Sequence, residues 1–263
     1  MVSEVSEIVN HFEDQDIISS RKRGNPHPLG LVSFGVTTFV FSFYNLGICG
    51  ITHENVGLGL ALFYGGFTQF IAGMLEMYLG NTLPATVFSS YGAFWLSFGL
   101  ISLPSAGISA AYADPKEFDN AIGIFLTAWA ILTIILLIGA LRTNNCMIGA
   151  LLLLFLIYVS LSLGKFTGQL VFIKIGGGIG VVLAILSFYM TLANMLTKEN
   201  SYFTLPLGQR SFDNVNVHNA HQTISVENKT FVLINEAYSA QKVATDTIFN
   251  VVVLAVTTTQ QKI

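Results

Sequence analysis

Six apolar runs divide this chain, and they leave it few folds to choose from. They lie near residues 31–50, 57–79, 85–103, 120–141, 147–164 and 172–196. Each has the length that a helix needs to cross about 30 Å of hydrocarbon. Period-two alternation is absent, which argues against a membrane β-barrel. Of the 263 residues 52% are hydrophobic and only 10% charged. A soluble domain carries about 25% charge. A chain this poor in charge cannot cover its own surface with polar groups, so its solvent is lipid. The expected fold is an all-α membrane protein with six transmembrane helices.

The joints between runs carry turn chemistry: Thr52-His53-Glu54-Asn55, Gly80-Asn81-Thr82, Asp114-Pro115-Lys116 and Arg142-Thr143-Asn144-Asn145. No Lys or Arg occurs between Arg23 and Lys116. With both termini in the cytoplasm, the inside holds Arg21, Lys22, Arg23, Arg142, Lys198 and Arg210. The outside then holds Lys116, Lys165 and Lys174. The positive-inside bias favours that orientation. Residues 1–24 read as a disordered cytoplasmic tail, acidic at first and without the apolar core of a signal peptide. Residues 25–208 read as a six-helix transmembrane domain, and 209–263 read as a cytoplasmic C-terminal tail. The apolar stretch from Ile248 to Val256 is too short to span. The sequon Asn228-Lys229-Thr230 would go unused on that side. A net charge of -3 argues against nucleic acid as a partner.

Four stretches could carry chemistry. Asn25-Pro26-His27-Pro28 opens the first span, where proline is tolerated and Asn25 can cap. Free N–H groups at such an end attract a carboxylate. In the second span Gly65, Gln69 and Gly73 recur every four residues, which permits close helix approach and an interhelical hydrogen bond. Glu76 shares their face and is the one acid well inside a span. It is either a structural partner of a helix end or a group that titrates beside a polar path. In the third span Ser89, Ser90 and Tyr91 sit among aromatics, as packing hydroxyls or as a narrow point that gates a small solute. Gly176-Gly177-Gly178-Ile179-Gly180 lacks the context of a phosphate loop and reads as helix packing. Cys49 and Cys146 read as small hydrophobes rather than metal ligands. His218 and His221 offer at most a loose metal contact. No metal site, cofactor site or catalytic constellation emerges, so the chain is not read as an enzyme.

Several motifs together resemble those of the acetate uptake transporter family, also called the succinate–acetate permeases. They are Asn25-Pro26-His27-Pro28-Leu29-Gly30-Leu31, the run from Phe63 through Gln69 and Gly73 to Glu76, Gly80-Asn81-Thr82, and Ser90-Tyr91-Gly92-Ala93-Phe94-Trp95. The likeness spans about residues 25–208 and closes on Tyr202 to Gly208. It implies six helices per subunit, a hexameric ring and a pathway through each subunit for acetate and other short monocarboxylates, with proton coupling. The tails resemble those of fungal plasma-membrane members. The likeness also implies a mid-membrane constriction, matched here by Phe34, Tyr91 and Leu154. Asn25, Thr37, Thr38, Asn45, Gln69, Thr86 and Ser90 are the expected polar pathway, and Glu76 is the proton-coupling candidate. Two positions depart from the family pattern. His27 stands where alanine is usual, and Leu83-Pro84 where Phe-Gly is usual. A passive acetate channel and a membrane sensor of acetate or ammonium are the alternatives. Spans one, two and three hold nearly all the motif residues, so the pathway is expected there.

Overall fold

The computed structural model describes residues 24–51 and 53–209. The basic triplet 21–23, Arg210, the sequon, His218, His221 and the stretch 248–256 lie outside the described residues. Six long helices follow in order: α1 (His27–Leu46), α2 (Gly57–Tyr78), α3 (Thr82–Ser102), α4 (Pro115–Gly139), α5 (Asn145–Thr167) and α6 (Leu170–Met195). Five of them are long and apolar enough to cross a membrane. The other, α3, has 21 residues, but its Thr and Ser side chains lower its hydropathy. The chain is a multi-pass membrane protein, and large apolar side chains such as Phe63, Ile131 and Ile185 cover its outside.

Local chemistry sets the ends. The Asp114 side chain accepts from Lys116 N at 2.9 Å, so α4 starts at Pro115, ahead of the apolar run near 120. Asn144 accepts from Met147 N at 2.8 Å and starts α5. Pro84 falls in the first turn of α3, where its missing N–H costs nothing. Within α2, residues Leu60–Thr68 widen into a π-helix. The Thr68 hydroxyl donates to the Phe63 carbonyl at 2.9 Å, one position beyond the α-helical spacing. This shift turns the residues that follow, Gln69 among them.

Short connections make α2 and α3, α4 and α5, and α5 and α6 antiparallel neighbours. The tightest pairings are α1 with α6, α4 with α5, and α2 with α3. Glycine permits the last of these. A Cβ on Gly73 would come within 2.5 Å of the Ser89 backbone nitrogen. The α6 glycines also serve packing, as expected: a Cβ on Gly177 would lie 2.8 Å from the Ser42 carbonyl of α1. Residues 207 and 208 return to the start of α5, where Asn145 N and Cys146 N donate to Gly208 O and Leu207 O at 3.0 and 3.3 Å. Both cysteine thiols are free.

The bundle therefore has two ends. The near end holds the start of α1, the α2–α3 and α4–α5 joints, and the end of α6. The far end holds the other joints, residues 47–56, 103–114 and 168–169.

Candidate functional site

At the near end three motifs close on one carboxylate. Glu76 is completely buried. Its Oε1 lies 2.9 Å from His27 Nδ1, and its Oε2 accepts from Asn81 Nδ2 at 2.6 Å. The Glu76 carbonyl also accepts from Asn81 N at 2.9 Å. The His27 ring rests on Phe88, with centroids 5.1 Å apart. Asn25 is exposed and accepts from His27 N at 3.0 Å, holding the first turn of α1. One acid thus ties α1, α2 and the α2–α3 joint. This accounts for the Gly80-Asn81-Thr82 motif, whose role was not legible from its residues.

Two cavities lie inside the bundle. The larger, about 490 Å³, opens toward the far end and reaches inward to Phe34 and Leu154. The smaller, about 30 Å³, lies in the near half among Leu31, Gln69, Val87, Met147 and Met190. Phe34 and Leu154 line both cavities, and Tyr91 lines the smaller one. Of the three residues expected at a constriction, Phe34 and Leu154 lie in the wall the cavities share and Tyr91 in that of the smaller one. The Phe34 and Tyr91 rings are 6.1 Å apart. Tyr91 is fixed rather than free to swing. Its hydroxyl shares a 2.9 Å hydrogen bond with the buried Thr133 of α4, and its ring stacks on Tyr158 at 6.4 Å.

The expected polar residues separate into two groups. Thr38 and Asn45 line the larger cavity, and Gln69 lines the smaller. The Thr38 hydroxyl, the Gln69 Oε1 and the Trp95 indole Nε1 are buried without a hydrogen-bond partner. Buried polar atoms are normally paired. Thr38 and Trp95 can donate, and both line the larger cavity. Thr37, Thr86 and Ser90 line neither cavity. Thr37 donates to Ser33 O at 2.8 Å and packs against Gly65. Thr86 donates to Thr82 O at 2.8 Å within its own helix.

The cavities also redistribute the helices. Of α2, only Gln69 lines either cavity. The larger one is walled instead by α1, α3 and the later helices, through Ile122 and Leu126 of α4, Tyr158 and Lys165 of α5, and Ile173 of α6. The first and third spans thus line the larger cavity as expected of a pathway there, and the fourth, fifth and sixth spans line it too. Beside motif residues such as Phe94 and Trp95, the cavity is lined by Leu and Ile that carry no motif. Glu54 and Lys165 were missed as well. Each is a single charge beside a joint, and only the fold turns both toward one space.

A multi-helix membrane protein with internal cavities that share Phe34 and Leu154 in their walls is the class that fold and site define. The chain belongs to the GPR1/FUN34/yaaH family, whose model matches residues 12–209. It is 41% identical over 198 residues to ammonia transport outward protein 2 of Saccharomyces cerevisiae, covering 73% of this chain and 70% of that one. It is 39% identical over 201 residues to acetate permease A of Emericella nidulans, covering 72% and 67%. Among solved structures it is similar to the bacterial acetate channel SatP, with a TM-score of 0.64 and 30% identity. That match covers 71% of this chain and all of the other.

Proposed function

We propose that this protein is a plasma-membrane transporter of acetate and other short monocarboxylates, with proton-linked uptake and both termini in the cytoplasm. The observation that carries this reading is the pair of cavities separated by Phe34, Tyr91 and Leu154, with unpartnered polar groups on either side. A bare carboxylate in hydrocarbon is costly unless protein dipoles replace its water. Trp95 Nε1 and the Thr38 hydroxyl are donors set where such an anion would lose its hydration. The Gln69 side chain meets it beyond the gap. The apolar gap admits a small dehydrated acid and holds back hydrated ions. At the near mouth Asn25 and the start of α1 face the solute.

Glu76 is the candidate for the coupled proton, as the one acid well inside a span, set against His27 Nδ1 at 2.9 Å. The same bonds give it a fastening role. Glu76→Gln separates the two: loss of the pH dependence of uptake supports coupling, whereas low folded yield with the pH dependence intact supports fastening. The resemblance also implies a hexamer, and the exposed Phe63, Phe67 and Tyr78 on α2 offer an apolar face for a second copy.

Radiolabelled acetate uptake in a host lacking its own acetate transporters tests the function. Accumulation that collapses with a protonophore supports the symport reading. Equilibration without accumulation supports a passive channel, the activity for which the solved bacterial relative is named. Replacing Tyr91 with Ala should let larger monocarboxylates compete with acetate by about tenfold more, a discrimination worth roughly 1.4 kcal/mol. Unchanged selectivity in a folded Tyr91→Ala protein would remove Tyr91 from the constriction.

A further inference from the structure

The far end carries a charge arrangement that the pathway described so far does not use. Among the described residues that line the larger cavity, only Glu54 and Lys165 are charged. Glu54 comes from the 47–56 joint and Lys165 from the last turn of α5, so the two reach the cavity from different elements. Lys165 is also held from the side by α4. Its ammonium bonds Asp119 Oδ1 at 2.8 Å, with both side chains 37% exposed. Lys116, also on α4, donates through Nζ to the carbonyls of Lys165 and Phe166, the latter at 2.6 Å. The other elements present uncharged groups to this space: Asn45 from α1, Ser102 from α3, and Leu170 and Ile173 from α6.

We propose that Glu54 and Lys165 form an acid-sensitive anion selector at the far mouth, a deeper layer that rests on the transport reading above. Lys165 supplies the cation that a carboxylate seeks as it leaves water. Glu54 is its built-in competitor, a carboxylate already facing the same cavity. When Glu54 takes a proton from the far-side water it gives up its charge, and an incoming carboxylate takes its place in the field of Lys165. The site thus binds one anion together with one proton, and its net charge does not change. When Glu54 is ionised, it repels the second carboxylate and weakens capture. Burial favours this exchange, because it raises the Glu54 carboxyl above the ordinary carboxylate range, while the Lys165 charge opposes that rise. Asp119 keeps Lys165 oriented and does not line the cavity itself.

The test needs an anion whose own protonation does not change with pH. Methanesulfonate has the size of acetate and stays ionised, so its inhibition of acetate uptake into proteoliposomes reports the site alone. In the wild-type protein its inhibition constant should fall about fivefold from pH 7.5 to 5.5, the scale of a half-screened charge interaction. Glu54→Gln should flatten that slope at the tight-binding value. Lys165→Met should raise the acetate KM about fivefold with kcat retained, and Lys165→Arg should restore it. Asp119→Asn should keep the slope, which assigns it to Glu54. A wild-type slope in Glu54→Gln, or a wild-type KM in Lys165→Met, overturns the selector. If the wild-type protein moves no acetate, the transport reading fails first. The selector then stands or falls on whether methanesulfonate protects the detergent-solubilised protein from melting more strongly at pH 5.5 than at pH 7.5.

Discussion

The two ends of the bundle each hold a buried or half-buried acid, and they treat it in opposite ways. At the near end Glu76 has both oxygens engaged, one by His27 and one by Asn81, and it lines neither cavity. At the far end Glu54 faces a cavity of about 490 Å³ that also holds Lys165 and two unpartnered donors, Thr38 and Trp95. A fully satisfied carboxylate ties helices together. A carboxylate beside open space and a cation is arranged for exchange with something that enters. Motif residues marked the first kind of site much more clearly than the second.

Substitutions at the two ends should therefore divide stability from transport. Glu76→Ala leaves His27 and Asn81 facing a void at a helix junction. Removing one partner of a buried pair costs about 3–5 kcal/mol. A large drop in melting temperature in detergent is expected, with little folded protein reaching the membrane. Lys165→Met removes a pair that is more than a third exposed, so its stability cost should stay under about 1 kcal/mol. Equal destabilisation of both variants would break the contrast.

Thr38→Val tests the open end more finely. It deletes a hydroxyl with no partner, so stability should hold or rise slightly. Acetate uptake should fall about tenfold, the worth of one hydrogen bond to a charged group. Unchanged uptake would remove Thr38 from the passage.

The smallest expected effect is a pH dependence. The folded-state Glu54 carboxyl is raised, so between the ordinary carboxylate range and its raised value the folded state holds more protons than the unfolded one. Stability then falls as pH rises through that window, by linkage. Melting curves of wild type and Glu54→Gln should converge on the acid side and separate on the alkaline side, with wild type lower. Parallel curves across that range would place Glu54 in ordinary solvent.

Much of the fold was legible, for particular reasons. Six apolar runs, the turn residues around Asp114 and Asn144 that join them, and Gly73 as a close-approach residue are local signals, and each appears where expected. That Phe34, Tyr91 and Leu154 line one cavity was legible only through resemblance. Nothing in the spacing of Phe34, Tyr91 and Leu154 brings them together, and Thr133, which anchors the Tyr91 hydroxyl, carries no motif at all. Thr37, Thr86 and Ser90 look like pathway residues because they are polar in apolar helices. Helical rotation directs Thr37 against Gly65 and bonds Thr86 to its own turn, placements that polarity alone does not show.

By itself the sequence determined that this chain lives in lipid, how many long helices it makes and where most of them start. These follow from hydrophobic run length and from capping groups within a few residues of each other. Only the tertiary structure decided which acid is bound up and which stands open. It also decided that α4, α5 and α6 join α1 and α3 in walling the larger cavity. The reason is that facing is a property of pairs. A carboxylate is a fastening or a selector according to what another helix places within about 3 Å of it, and no stretch of one chain segment encodes that distance.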